Sequence, residues 1–189
     1  SRALFNAANA FIGHFRGGLS MVAVLAGMIM GGISGSAVAD TAAIATTMIA
    51  PMEEEEYPRD FSAAVVATAG PLGNIIPPSI PMIIYAMTSG LSLLDMFLAG
   101  YIPGVMIGLS LMVFCYYTSK KHGYGRTNAE FTWRRVVVTF KRSSLAILTP
   151  VIIVGGIVSG IFTPTEASMV GAVYCFFVAT FVYRELRLS

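Results

Sequence analysis

The sequence predicts an all-α polytopic membrane protein, and three observations carry that reading. Hydrophobic residues make up 56% of the 189-residue chain and charged residues 12%, whereas a soluble domain carries about a quarter charged residues to cover its surface. The apolar residues are gathered into long uncharged runs, and the mean hydropathy is +0.74. Two of those runs are interrupted at their midpoints by small, polar or proline residues, which suits discontinuous elements at membrane depth rather than plain spans. A formal net charge of +2 gives no reason to expect a nucleic-acid partner.

The first run, residues 17–52, holds 36 residues whose only charge is Asp40. One helix of that length would reach about 54 Å, far beyond a hydrocarbon core of about 30 Å. Two full spans would need about 40 residues plus a turn, so two shorter legs folded back inside the membrane fit better. The midpoint falls on Ser34 and Gly35, in the small, polar stretch Gly31 to Asp40, which suits a re-entrant tip. Glu53 to Glu56 then read as a solvated loop.

The second run, residues 61–94, has 34 residues and is centred on Pro77 and Pro78. Proline lacks the backbone donor and disfavours helix in the residue before it, so Pro77, Pro78 and Pro81 interrupt any helix passing through. One discontinuous helix is expected there, with a turn at Thr88 to Gly90. Residues 96–119 form a span, followed by Lys120, Lys121, Arg126, Arg134, Arg135, Lys141 and Arg142, a cytoplasmic cluster by the positive-inside rule. Residues 131–142 read as a cytoplasmic amphipathic helix, with Trp133, Val137 and Phe140 on one face. Residues 143–165 and 167–183 complete the spans, with Glu166 in a helix-capping pattern after Thr163 and Pro164.

Irregular peptide at membrane depth is tolerated only where it is buried in protein or lines a cavity. The breaks at Ser34 to Ala37 and Gly73 to Ser79 therefore mark a candidate site. Freed carbonyls, the hydroxyls of Ser34, Ser36 and Ser79 and the Asn74 amide oxygen suit a small hard cation. Helix N-termini after each break suit an anionic substrate. Gly27, Gly31 and Gly35 recur at four-residue spacing, so the first break also reads as a helix-packing face. Asp40 is either a cap for the second leg or part of the site. Cys115 and Cys175 sit in apolar runs and read as small buried hydrophobes. The pairings of nucleophile and base, or of glycine loop and lysine, that mark an enzyme are missing from the sequence, so no enzymatic activity and no cofactor are expected.

Gly32 to Thr41, Ala69 to Ile80 and Gly160 to Ala167 together resemble the large membrane subunit of tripartite ATP-independent periplasmic (TRAP) transporters, in order and spacing over nearly the whole chain. The resemblance implies a fragment of an elevator-type transporter built from inverted repeats, with sodium as coupling ion. It implies a small membrane subunit, separate or fused, a periplasmic substrate-binding protein, and a small carboxylate substrate such as a C4-dicarboxylate or a sialic acid. The setting implied is a bacterial or archaeal cytoplasmic membrane. Carried onto this sequence, a sodium site would draw on Ser34, Gly35, Ser36, Gly73, Asn74 and Pro77, and half of a substrate site on Ser36, Ala37, Asn74 and Ser79. A second hairpin and broken helix would lie outside this chain. Another sodium-coupled elevator without a binding protein, or a membrane scaffold subunit, are the competing readings.

Overall fold

The computed structural model describes residues 5, 8, 9, 11–125, 144, 145, 148, 149 and 151–182, and among these it is helical without strands. Helix α1 (Gly18–Ser34) and helix α2 (Ala37–Glu54) form a hairpin. Gly35 ends α1 in the left-handed region (φ 61°) and returns its N–H to the Gly31 carbonyl at 3.2 Å, a conformation cheap only for glycine. Ser36 then starts α2 as its N-cap, its hydroxyl accepting from the Ala39 N–H at 3.5 Å. The break thus falls where the small, polar residues stand.

The helix α3 (Arg59–Ala69) runs on into a 3₁₀ turn (Gly70–Asn74) that carries Pro71 near its start. Helix α4 (Ile80–Ser89) resumes after Ser79 and ends at Gly90, φ 70°. The prolines therefore interrupt this run as expected from their missing donors. Helix α5 (Leu93–His122) is a single 30-residue element capped by Ser92, which accepts from the Asp95 N–H at 3.3 Å. Lys120, Lys121 and His122 fill its last turn, where cations complement the helix dipole.

The principal core lies between the hairpin, α3 and α5. Val22, Val24, Ala26, Ile44, Met52 and Leu72 are all at most 1% exposed within it. Along α5, Gly100, Gly104 and Gly108 face the rest of the bundle, and added Cβ atoms there would strike Met82, Ile76 and Met28. The opposite side of α5 leaves Ile102, Met106, Val113 and Tyr117 exposed. A continuous apolar face of this kind suits lipid or further membrane protein and not water. A second cluster joins Phe97 to Ile153, Ile157 and Ala167.

Helix α6 (Pro164–Phe177) opens with a complete capping box: the Thr163 N–H donates to Glu166 Oε2 at 2.8 Å, and the Glu166 N–H donates to Thr163 Oγ1 at 3.4 Å. A π turn (Val178–Val182) follows. Both α5 and the stretch Thr165–Val182 are long and apolar enough to cross a membrane. The expected amphipathic helix at 131–142 lies outside the described residues, as does part of the expected span at 143–165. The acidic run is not a loop throughout: Glu53 and Glu54 close α2, and Glu56 takes a left-handed φ of 63°. Glu53 pairs with exposed Arg59 at 2.6 Å, an interaction worth little at a surface. Burial raises the Glu55 pKa.

One end of the bundle gathers both feet of the hairpin and the end of α5. Gly17 lies so close to Ser119 that a Cβ would come within 2.6 Å of its side chain, and Gly125 abuts the Tyr57 ring. The rings of Tyr57, Phe61 and Tyr124 follow one another at 6.2 and 5.4 Å. Cysteines placed at positions 16, 53 and 120 of the full-length protein should therefore label from one side of the membrane, and a cysteine at 89 from the other. Labelling of 16 and 53 from opposite sides would contradict the hairpin.

Candidate ion and substrate site

The hairpin tip and the interruption between α3 and α4 meet, and the meeting is built on glycine. A Cβ on Gly31 would come within 2.6 Å of the Gly73 Cα, and one on Gly27 within 2.6 Å of the Ala69 carbonyl oxygen. Gly70 leaves room for Thr41, and Gly73 leaves room for the Asp40 carboxylate. The glycine spacing of α1 is thus a packing face, and that face is what brings the two interruptions together.

Three hydrogen bonds then tie the junction. The Ala37 N–H, in the first turn of α2, donates to Asn74 Oδ1 at 3.0 Å. The Ile80 N–H, in the first turn of α4, donates to the Gly35 carbonyl at 3.2 Å. Ser79 Oγ donates to the Asn74 carbonyl at 2.7 Å, which stiffens the interruption from within. Each consumes a main-chain group that the end of a helix leaves unpaired.

The candidate residues accordingly divide by what their polar atoms do. Ser34 is exposed; Ser36, Ala37 and Asn74 are half-buried; Gly35, Gly73, Pro77 and Ser79 are buried. Asn74 spends its amide oxygen on α2, and Ser79 spends its hydroxyl on Asn74. Ser36 supplies the cap of α2, while Asp40 accepts from Ser34 Oγ through Oδ1 at 2.6 Å and is fully buried. Among the described residues no group of three His, Cys, Asp or Glu could hold a metal ion. The local donor set is instead carbonyl and hydroxyl oxygen with one carboxylate, which suits a small hard cation rather than a transition metal.

Gly31, Gly70 and Thr41 are the junction residues that sequence reasoning did not assign to the site. The spacing of Gly27, Gly31 and Gly35 pointed to a packing face, but not to which element it packs against.

These features define an all-α membrane protein in which two interruptions are locked together inside a predominantly apolar bundle. The family model described as "Tripartite ATP-independent periplasmic transporter, DctM component" matches residues 1–189. The chain belongs to that family, which consists of transporter permease components and not enzymes. It is 44% identical over 189 residues to the C4-dicarboxylate TRAP transporter large permease protein DctM of Pseudomonas aeruginosa, covering 100% of this chain and 44% of that protein. It is 44% identical over 178 residues to the 2,3-diketo-L-gulonate TRAP transporter large permease protein YiaN of Escherichia coli, covering 94% and 42%. Against the sialic acid TRAP transporter permease protein SiaT of Haemophilus influenzae it is 42% identical over 186 residues, covering 98% and 30%. The chain therefore spans less than half the length of these curated relatives.

Proposed function

We propose that this chain is part of the large membrane subunit of a TRAP transporter and contributes one half of a sodium-coupled site for importing a small organic acid. The observation that carries the reading is the bonded junction between the Ser34 to Ala37 tip and the Gly73 to Ser79 interruption. Oxygen ligands converge there, as do two helix N-termini that favour an anion. The legs of the hairpin, about 26 and 27 Å long at 1.5 Å per residue, are shorter than a hydrocarbon core of about 30 Å. That favours a re-entrant hairpin; in the proposed arrangement an elevator-type domain carries it and an inverted repeat supplies the other half.

The substrate class is a carboxylate, in keeping with relatives named for C4-dicarboxylates, sialic acid and 2,3-diketo-L-gulonate. A small membrane subunit, separate or fused, and a periplasmic binding protein are the partners. The bacterial inner membrane is the setting, since these relatives are bacterial. The test reconstitutes the full-length complex in proteoliposomes with its binding protein and follows uptake of labelled C4-dicarboxylate and sialic acid over a sodium titration. Uptake that rises with sodium and requires the binding protein is expected; uptake indifferent to sodium would refute the coupling.

A further inference from the structure

We infer that Asp40 is a positioning residue for this site, which aims a lone pair of Ser34 at the coupling cation; the inference rests on the sodium-coupled reading above. A hydroxyl has one proton and two acceptor lone pairs. Here the Ser34 proton goes to Asp40 Oδ1 at 2.6 Å, and one lone pair receives the Ser36 N–H at 3.1 Å. The other lone pair is left on an exposed side chain at the tip. Without Asp40 the hydroxyl could rotate and present its proton, which repels a cation.

The second observation is the other carboxylate oxygen. Asp40 Oδ2 is buried without a hydrogen-bond partner among the described residues, and it lies against Gly73, where a Cβ would collide with it. The described ion pair, Glu53 with Arg59, stands at the far foot of the hairpin, and among the described residues no basic side chain is paired with this carboxylate. A buried carboxylate left half-satisfied is costly to stability. Such a group is retained where its charge and its acceptor geometry serve a ligand.

The role differs from a merely structural one in a measurable way. Asp40→Leu, close to Asp in shape, removes the acceptor and the unpartnered oxygen together. The sodium-free complex should then melt at the same temperature as wild type or higher, while its response to sodium fails.

The experiment measures sodium-induced thermal stabilisation of the full-length detergent-solubilised complex for wild type, Ser34→Ala, Asp40→Leu and the double variant. Each single variant should raise the sodium concentration at half-response about ten- to hundredfold, the range expected from losing a hydrogen bond to a charged group. The double variant should be no worse than either single one, because both remove the same oriented oxygen. If Asp40→Leu fails to assemble, Asp40→Asn carries the same cycle with a smaller shift, its amide leaving the hydroxyl free to turn. Multiplicative effects in the double variant, a normal sodium response in Asp40→Leu, or a sodium-free melting temperature that falls in step with the response would overturn the positioning role. A wild-type complex indifferent to sodium would overturn the coupling itself, and this role with it.

Discussion

Gly31→Val in the full-length transporter is expected to abolish uptake and to lower the melting temperature of the purified complex. The first side-chain atom added at Gly31 would stand 2.6 Å from the Gly73 Cα, which is backbone and cannot rotate away. The hairpin and the 3₁₀ turn must therefore separate, and β-branching leaves valine little choice of rotamer. Overpacking of this kind costs about 1–3 kcal/mol and more where backbone must move. Here the separation also breaks the hydrogen bonds of Ala37 and Ile80 across the junction. Gly155→Ala is the control: among the described residues nothing lies within 4 Å of its added Cβ, and its backbone is helical. That variant should transport normally and match or slightly exceed wild-type stability, by up to about 1 kcal/mol from helix propensity. Equal behaviour of the two variants would show that the close approach at Gly31 does not organise the site.

Asn74→Ala should have the next largest effect, reducing uptake about ten- to hundredfold and raising the sodium needed for half-maximal rate. The change deletes the acceptor of the Ala37 N–H, stranding a half-buried donor at a cost of about 1–3 kcal/mol. Of the junction's hydrogen bonds described above, it leaves only the main-chain bond from the Ile80 N–H to the Gly35 carbonyl to tie the tip to the interruption. If sodium and substrate both use this junction, their affinities should weaken together, because coupling between sites is reciprocal. Ser36→Ala should cost less. Its hydroxyl accepts from Ala39 at 3.5 Å, the limit of a useful bond, so its loss falls toward the low end of the 0.5–2 kcal/mol range for an N-cap. Uptake assays at several sodium concentrations, with expression checked for each variant, rank the two. A larger defect in Ser36→Ala than in Asn74→Ala would reverse the order of importance drawn from the geometry.

Much of the fold was legible because the interruptions are written in residues whose backbone preferences are strong. Ser34, Gly35 and Ser36 mark the turn between α1 and α2, and Pro77, Pro78 and Pro81 mark the gap before α4. Thr163 and Glu166 announce the start of α6 through a capping box that forms as the pattern suggests. The end of α2 was less legible. The four glutamates favour solvent, yet two of them close the helix, and the Tyr57 N–H returns to the Met52 carbonyl at 3.0 Å across the left-handed Glu56. A glycine is usual at that position, so its absence hid the helix end.

The two interruptions were legible as one candidate site, but the contacts that join them were not. The same glycines of α1 read equally well as a packing face and as a site, and the structure uses Gly27 and Gly31 for packing in order to create the junction. That Asn74 reaches Ala37, or that Asp40 turns inward to Gly73, depends on which faces of α2 and the 3₁₀ turn meet. Periodicity within one helix carries no information about the rotation of its neighbour.

The junction also bears on how cargo preference can diversify. Its partners are chiefly main-chain atoms: the Ala37 and Ile80 N–H groups, and the Gly35 and Asn74 carbonyls. Main chain is the same whatever side chains surround it, so this latch imposes few demands on the residues that would greet a cargo molecule. Neighbours such as Val38, 82% exposed beside the tip, are free to vary in size and polarity without loosening it. A lineage can then trade one acid for another by exchanging a handful of bystanders, while the moving parts keep their fit.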